Sequence, residues 1–196
     1  INNWDVSQVT NMSDLFKDKT TFNDNISGWD VSNVTNMESI FLNATSFNQD
    51  ISGWDVSNVT KMIQMFKEAT SFNQPLNDWN VSSVTDMNQT LLDATSFNQP
   101  LNNWNVSNVT NMYRMFDKVV AFNRPLDNWN VSKNIDMGYM FRDTSSFNQP
   151  LNDWNVSNVK NMRSVFNSSA FNQDISDWNV SKVTDIAAMF GENSSF

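Results

Sequence analysis

The chain has 196 residues, a net charge of −9, 39% hydrophobic and 13% aromatic residues, and neither cysteine nor histidine. That apolar share supports one sizeable core, while the missing Cys and His exclude disulfides, zinc fingers, thiol nucleophiles and a Ser-His-Asp triad. The acidic balance opposes nucleic acid or an anionic lipid surface as the main partner, and the longest purely apolar run, Ile186 to Phe190, is far too short to span a membrane.

The sequence repeats. Trp recurs at 4, 29, 54, 79, 104, 129, 154 and 178, giving six spacings of 25 residues and a last one of 24. The short step falls in Asn167-Ser168-Ser169-Ala170, one residue fewer than Lys67-Glu68-Ala69-Thr70-Ser71. Such a period marks an array in which no unit buries its apolar face alone, and stacking the eight units does. The reading is one domain over residues 1–196. With no recognisable cap at Ile1 or Phe196 it is expected to be an internal segment of a longer protein.

Within the second unit, Trp29-x-Val31 alternates with the period of a short strand. Val34, Met37 and Phe41 then fall at i, i+3 and i+7, one face of a helix. Thr35 is placed to cap that helix and Glu38 to complete a capping box. The helix is expected to end near Ala44, where Thr45-Ser46-Phe47-Asn48-Gln49 is turn chemistry. Pro75, Pro100, Pro125 and Pro150 then favour an extended lead into the next strand. The predicted fold is an α/β repeat solenoid, with short parallel strands on one face and short helices or helical turns and loops on the other. Strands about 4.8 Å apart would make it roughly 40 Å long.

The frame Ile26-x-x-Trp29-x-Val31-Ser32-x-Val34-x-x-Met37-x-x-Ile40-Phe41 resembles the leucine-rich repeat in its BspA-like form. The 25-residue version, with Trp-Asp-Val-Ser-Asn-Val-Thr-Asn-Met and Ser-Phe-Asn-Gln, is similar to the repeat of BspA-family surface proteins, found also in mycoplasma lipoproteins. The resemblance covers the whole chain. It implies a curved array displayed at the cell surface as an adhesion or binding module, and names no ligand.

Three units depart from the frame. Thr90-Leu91 replaces Met65-Phe66 and softens the fourth unit. Asn134-Ile135 inverts the usual order and is expected to keep Ile135 pointing inward through a local shift. Ile186 stands where Met is the rule.

The recurring polar positions divide into builders and candidates. The Ser column (Ser7 to Ser181) and the Asn column (Asn23 to Asn172) read as internal hydrogen-bond ladders, and the Thr column as helix caps. The positions flanking Trp point away from the core. After Trp come Asp5, Asp30, Asp55, Asn80, Asn105, Asn130, Asn155 and Asn179, and before it Asp78, Asp153 and Asp177 among others. No unit has Asp at both places, although six of the eight have it at one, as like-charge avoidance in a tight ladder requires. The binding candidates are Asp5, Asp30, Asp55, Asp78, Asn80, Asn105, Asn130, Asp153, Asn155 and Asp177. This strip suits glycan hydroxyls or a basic protein surface, and equally suits a solvated face kept soluble by charge.

No catalytic residue, metal site or cofactor is assigned. Repeated acids lack the singular environment that tunes a catalytic pair, and no calcium-loop motif occurs. The expected function is a non-enzymatic extracellular or cell-surface module that recognises a protein or glycan by summing weak contacts along the ladder. The rival is a structural subunit that self-associates into a filament, sheath or surface layer.

Overall fold

A computed structural model describes residues 1–196. Its 86 main-chain hydrogen bonds include none within a helix or a strand. The α/β solenoid with strands and helices is therefore incorrect: the eight repeats form eight stacked coils made of turns. The sheet-like contact is a file of single parallel bridges running through Asn11, Asn36, Lys61, Asp86, Asn111, Asp136, Asn161 and Asp185. That file lies one residue before the Met column, not at Trp-x-Val.

Around Trp29 the backbone is tied up locally instead. The Trp29 amide donates to the Ile26 carbonyl at 3.1 Å, and the Val34 amide to Val31 at 2.9 Å. The short extended step between these turns still sends Trp29 and Val31 inward, so the alternation is real while the strand pairing is absent. Side chains join the coils here. Each indole from Trp29 to Trp154 donates to a carbonyl 28 residues earlier, at 2.7–3.3 Å, and Trp178 does so 27 residues earlier.

The expected helix is a chain of turns for a specific reason. Two residues per coil have left-handed backbone, Ser39 and Asn43 in the second coil, and sixteen such non-glycine residues occur with φ of 52–62°. Each sits at the third position of a turn closed by an i to i+3 bond, Ser39 in the turn from Ile40 N to Met37 O and Asn43 in that from Ala44 N to Phe41 O, which resembles the positive-φ corner of a type II turn. A left-handed residue every fourth position stops helix propagation and frees alternate amides. Met12, Asp14, Phe16 and Asp18 donate to Asn36, Glu38, Ile40 and Leu42 of the next coil at 2.8–3.0 Å. An isolated two-turn helix is marginal in water, whereas these bonds tie every coil to its neighbour. The inward spacing of Met37, Ile40, Phe41 and Ala44 imitates a helical period because successive four-residue turns, 37–40 and 41–44, repeat at nearly the helical step.

Thr35 is not a helix cap. Its amide donates to the Thr10 carbonyl at 2.9 Å and its hydroxyl to the same oxygen at 3.2 Å. Thr60, Thr85 and Thr110 repeat the double bond, so the column is an exposed ladder along the stacking axis. The Glu38 amide is taken by Asn36 Oδ1, which replaces the expected capping box with an Asx turn. The Asn column is the predicted ladder: each of Asn48, Asn73, Asn98, Asn123, Asn148 and Asn172 donates its amide to the preceding Asn side-chain oxygen at 2.8–3.1 Å.

One core of 55 buried residues runs through all coils. Phe41 and Phe47 stack at 3.9 Å within a coil, and their columns continue at 5.5–6.3 Å between coils. Leu91 interrupts the first column. Beside it, Thr90 is fully buried, with its hydroxyl 2.8 Å from the carbonyls of both Met62 and Met87.

The sixth coil overturns a second expectation. Ile135 is 43% exposed, while Asn134 is fully buried with neither side-chain polar atom bonded. The ladder bonds from Ile135 N to Thr110 O (2.8 Å) and Lys160 N to Ile135 O (2.9 Å) hold the alternation fixed. Turning Ile135 inward would require a one-residue slip against both neighbours.

Candidate functional site

The ten candidate residues all lie on the surface. The column after Trp is set by turn chemistry rather than a strand face. Asp5, Asp30, Asp55, Asn80, Asn105, Asn130 and Asn155, together with Asn179, each accept the amide of the Ser two residues on, at 3.0–3.2 Å. The Ser column thus closes local Asx turns instead of forming its own ladder. The coils are bridged here by Asn33, Asn58, Asn108 and Asn158, whose Nδ2 atoms donate to the preceding Ser carbonyl. Hydrogen bonds from the Ser hydroxyl and then the Ser amide hold the carboxyls of Asp5, Asp30 and Asp55 below the ordinary aspartate value. Before Trp, Asp177 accepts from Asn152 Nδ2 at 2.7 Å, and Asp78 and Asp153 are exposed. The structure therefore brings the candidates into two parallel files. Residues of the first file carry out a structural task with one side-chain oxygen and present the remaining polar atom outward.

Two clusters break the repetition. The first spans coils five to seven. Asp117 is buried where Leu42 and Leu92 stand in other coils, and Arg142 grips it through two bonds of 2.9 and 2.8 Å. Burial pushes the Asp117 carboxyl up, opposed by the hydrogen bond and charge of Arg142 and the charge of Arg114. Burial alone would lower Arg142, but the bonds and charge of Asp117 outweigh it. The two-pronged geometry decides the state: the pair is ionised at neutral pH. Arg114 and Arg142 lie over the Tyr139 ring at 4.9 and 5.1 Å, and Arg163 donates to its hydroxyl at 2.8 Å.

The second cluster lies beside the Thr ladder on coils five to eight. Thr110, Lys133, Ile135, Asn158, Lys160 and Lys182 line an open basin of about 410 Å³. Lys133 donates to Asn108 Oδ1 at 2.8 Å and Lys182 to Asn158 Oδ1 at 2.6 Å. Residues 1–98 carry four Lys and Arg against twelve Asp and Glu, while residues 99–196 carry eight against nine. Neither cluster is among the sequence candidates. A column-by-column reading of charge would have found both, because each is a departure from its column; attention to the regular columns hides them.

These features define a repeat protein whose coils are built from turns and stacked aromatic columns. The chain belongs to the family described as Mycoplasma protein of unknown function, DUF285, which matches residues 1–104 and again 93–196. No curated protein and no solved structure matches the chain.

Proposed function

We propose that this chain is a non-enzymatic extracellular binding module of the kind seen in BspA-type repeat surface proteins, recognising a protein or glycan through its repetitive polar face. The observation that carries this reading is the file of Asp and Asn residues after Trp, one per coil, all exposed and all in the same turn geometry. A ligand that repeats along its own length would meet the same weak polar contact on successive coils, and their sum gives avidity. Stacked turns with one continuous core offer a rigid ruler for that purpose. The resemblance of the Trp-Asp-Val-Ser frame to BspA-type surface repeats is what favours a cell-surface location in this reading.

The test applies the full chain, first sized by light scattering and electron microscopy, to arrays of neutral glycans and extracellular-matrix proteins. Asn103→Lys with Asn128→Lys sets two cations across the strip at exposed positions outside the Asx turns. Binding that the double variant loses at least about tenfold supports the strip. Binding unchanged by the variant, or regular polymers in place of discrete particles, would refute it in favour of another face or a structural role.

A further inference from the structure

Five coils keep the frame x-Val-Thr before the bridge residue: Gln8-Val9-Thr10, Asn33-Val34-Thr35, Asn58-Val59-Thr60, Ser83-Val84-Thr85 and Asn108-Val109-Thr110. In the next three a lysine enters the triplet, as Lys133-Asn134-Ile135 and Asn158-Val159-Lys160, which also lose Val-Thr, and as Lys182-Val183-Thr184, which keeps it. Three new ammonium groups, on three successive coils, thereby converge on the single basin described above. This is one of the two places where charge breaks the repetition, and the one that opens onto a basin. We propose that this basin is a binding site for a linear anionic polysaccharide, one carrying sulfate or carboxylate groups along its chain. The site is separate from the Asp/Asn strip and does not rest on it.

The chemistry favours this ligand in three ways. Lys160 makes no side-chain hydrogen bond or ion pair in the structure, and Lys133 and Lys182 are held only by neutral side-chain amides, so all three charges face outward uncompensated. Coils about 4.8 Å apart place Lys133 and Lys182 about 10 Å apart with Lys160 between them, a spacing suited to charges distributed along a chain. Acidic columns flank this lane. Asp127, Asp153 and Asp177 lie on the Trp side and Asp136 and Asp185 in the bridge file. A thin chain fits between those columns, whereas a membrane or a nucleic-acid duplex would bring its charges against them. A folded protein partner would call for aromatic and Arg anchors in a desolvated centre, and the basin offers lysines, an amide, a hydroxyl and one exposed Ile135. Ile135 and Thr110 give the sugar ring an apolar edge and a hydroxyl partner.

Calorimetric titration of the full chain with a size-defined sulfated octasaccharide tests the proposal, with the desulfated octasaccharide, inorganic sulfate and a poly-glutamate peptide as parallel probes. The sulfated octasaccharide should bind, and the desulfated one should not. Each of Lys133→Gln, Lys160→Gln and Lys182→Gln should weaken binding about fivefold, and the triple variant roughly a hundredfold. The triple Lys→Arg variant should retain binding, and so should Lys17→Gln with Lys61→Gln on the acidic half. The variants should melt with the parent, since none of the three side chains is buried. Equal binding of parent and triple Gln variant would overturn the site. Inorganic sulfate binding as tightly as the octasaccharide, or poly-glutamate binding more tightly, would overturn the ligand class, as would no binding up to millimolar concentrations. None of these outcomes depends on the neutral-ligand arrays used for the strip.

Discussion

Asn134→Val should make the protein more stable, by an amount that follows from its surroundings. The other seven coils have Val at this position, and Val109 and Val159, directly beside Asn134 in the stack, are fully buried. Asn134 is fully buried too, yet both its Oδ1 and its Nδ2 lack a partner. An unpaired buried polar group costs about 1–3 kcal/mol. Val is close to Asn in size, so it removes that cost and restores apolar contact without overfilling the column. The expected gain is about 2–4 kcal/mol, or roughly 5–15 °C in Tm for a chain of this length. Urea unfolding followed by tryptophan fluorescence and a calorimetric melt both read it. Val109→Asn, the same exchange reversed one coil away, should lose a similar amount. An Asn134→Val variant no more stable than its parent would refute the reasoning, because it would mean the amide is already satisfied.

Trp104→Ala should destabilise by about 3–5 kcal/mol, since it empties a buried site, removes the indole bond to Leu76 O and unstacks Trp129; a denaturant melt checks it. Arg142→Ala strands the buried Asp117 and should cost about 3–5 kcal/mol, while Asp117→Leu with Arg142→Ala should recover most of that, following Leu92 in the equivalent place. Lys118 has φ of 62° and an exposed side chain, so Lys118→Asn should stabilise by about 0.5–1 kcal/mol and Lys118→Val should destabilise by about 1–2 kcal/mol, an opposite-sign pair in thermal melts. Asp5, Asp30 and Asp55 have folded values below the ordinary 3.8, so their contribution is fully present above that pH and disappears as pH falls through the folded values. Replacing all three by Asn should leave the neutral-pH melt nearly unchanged, because Asn80 and Asn105 make the same turn, and should flatten the loss of stability as pH falls below the ordinary 3.8.

Which residues go inside was legible, and how the backbone carries them there was not. Trp29, Val31, Val34, Met37, Ile40, Phe41 and Phe47 are all buried, as their recurrence requires. The same spacing suits a short helix and a run of left-handed turns, and the residues at the decisive corners do not separate them. Asn43, Asp18, Asp93 and Asp143 tolerate positive φ, but Gln64, Arg114, Tyr139 and Ala188 carry no such signal, and none of the sixteen is glycine. What selects the turns is the stack: alternate amides find carbonyls on the neighbouring coil, a partner that a single repeat read in isolation does not display. The Thr column is ambiguous in sequence for the same reason, since a cap and an inter-coil donor look alike until the neighbour is in place.

The functional surface shows the converse. The most regular part of the Asp/Asn strip is the file after Trp, and there each side chain already closes a turn, so its recurrence has a structural cause before any binding role. Where recurrence has such a cause, departure from it is the more informative observation. Leu42 and Leu92 need no explanation beyond packing, whereas Asp117, held by Arg142 in the same column, replaces apolar burial with an ion pair that contributes little net stability. Lys133, Lys160 and Lys182 likewise replace Asn or Thr, and at Lys160 the Thr hydroxyl bond to the preceding coil is forgone. Substitutions that give up ladder bonds and still converge on one basin are hard to account for by folding alone, which is why that basin, and not the most regular strip, is the sharper place to look for a ligand.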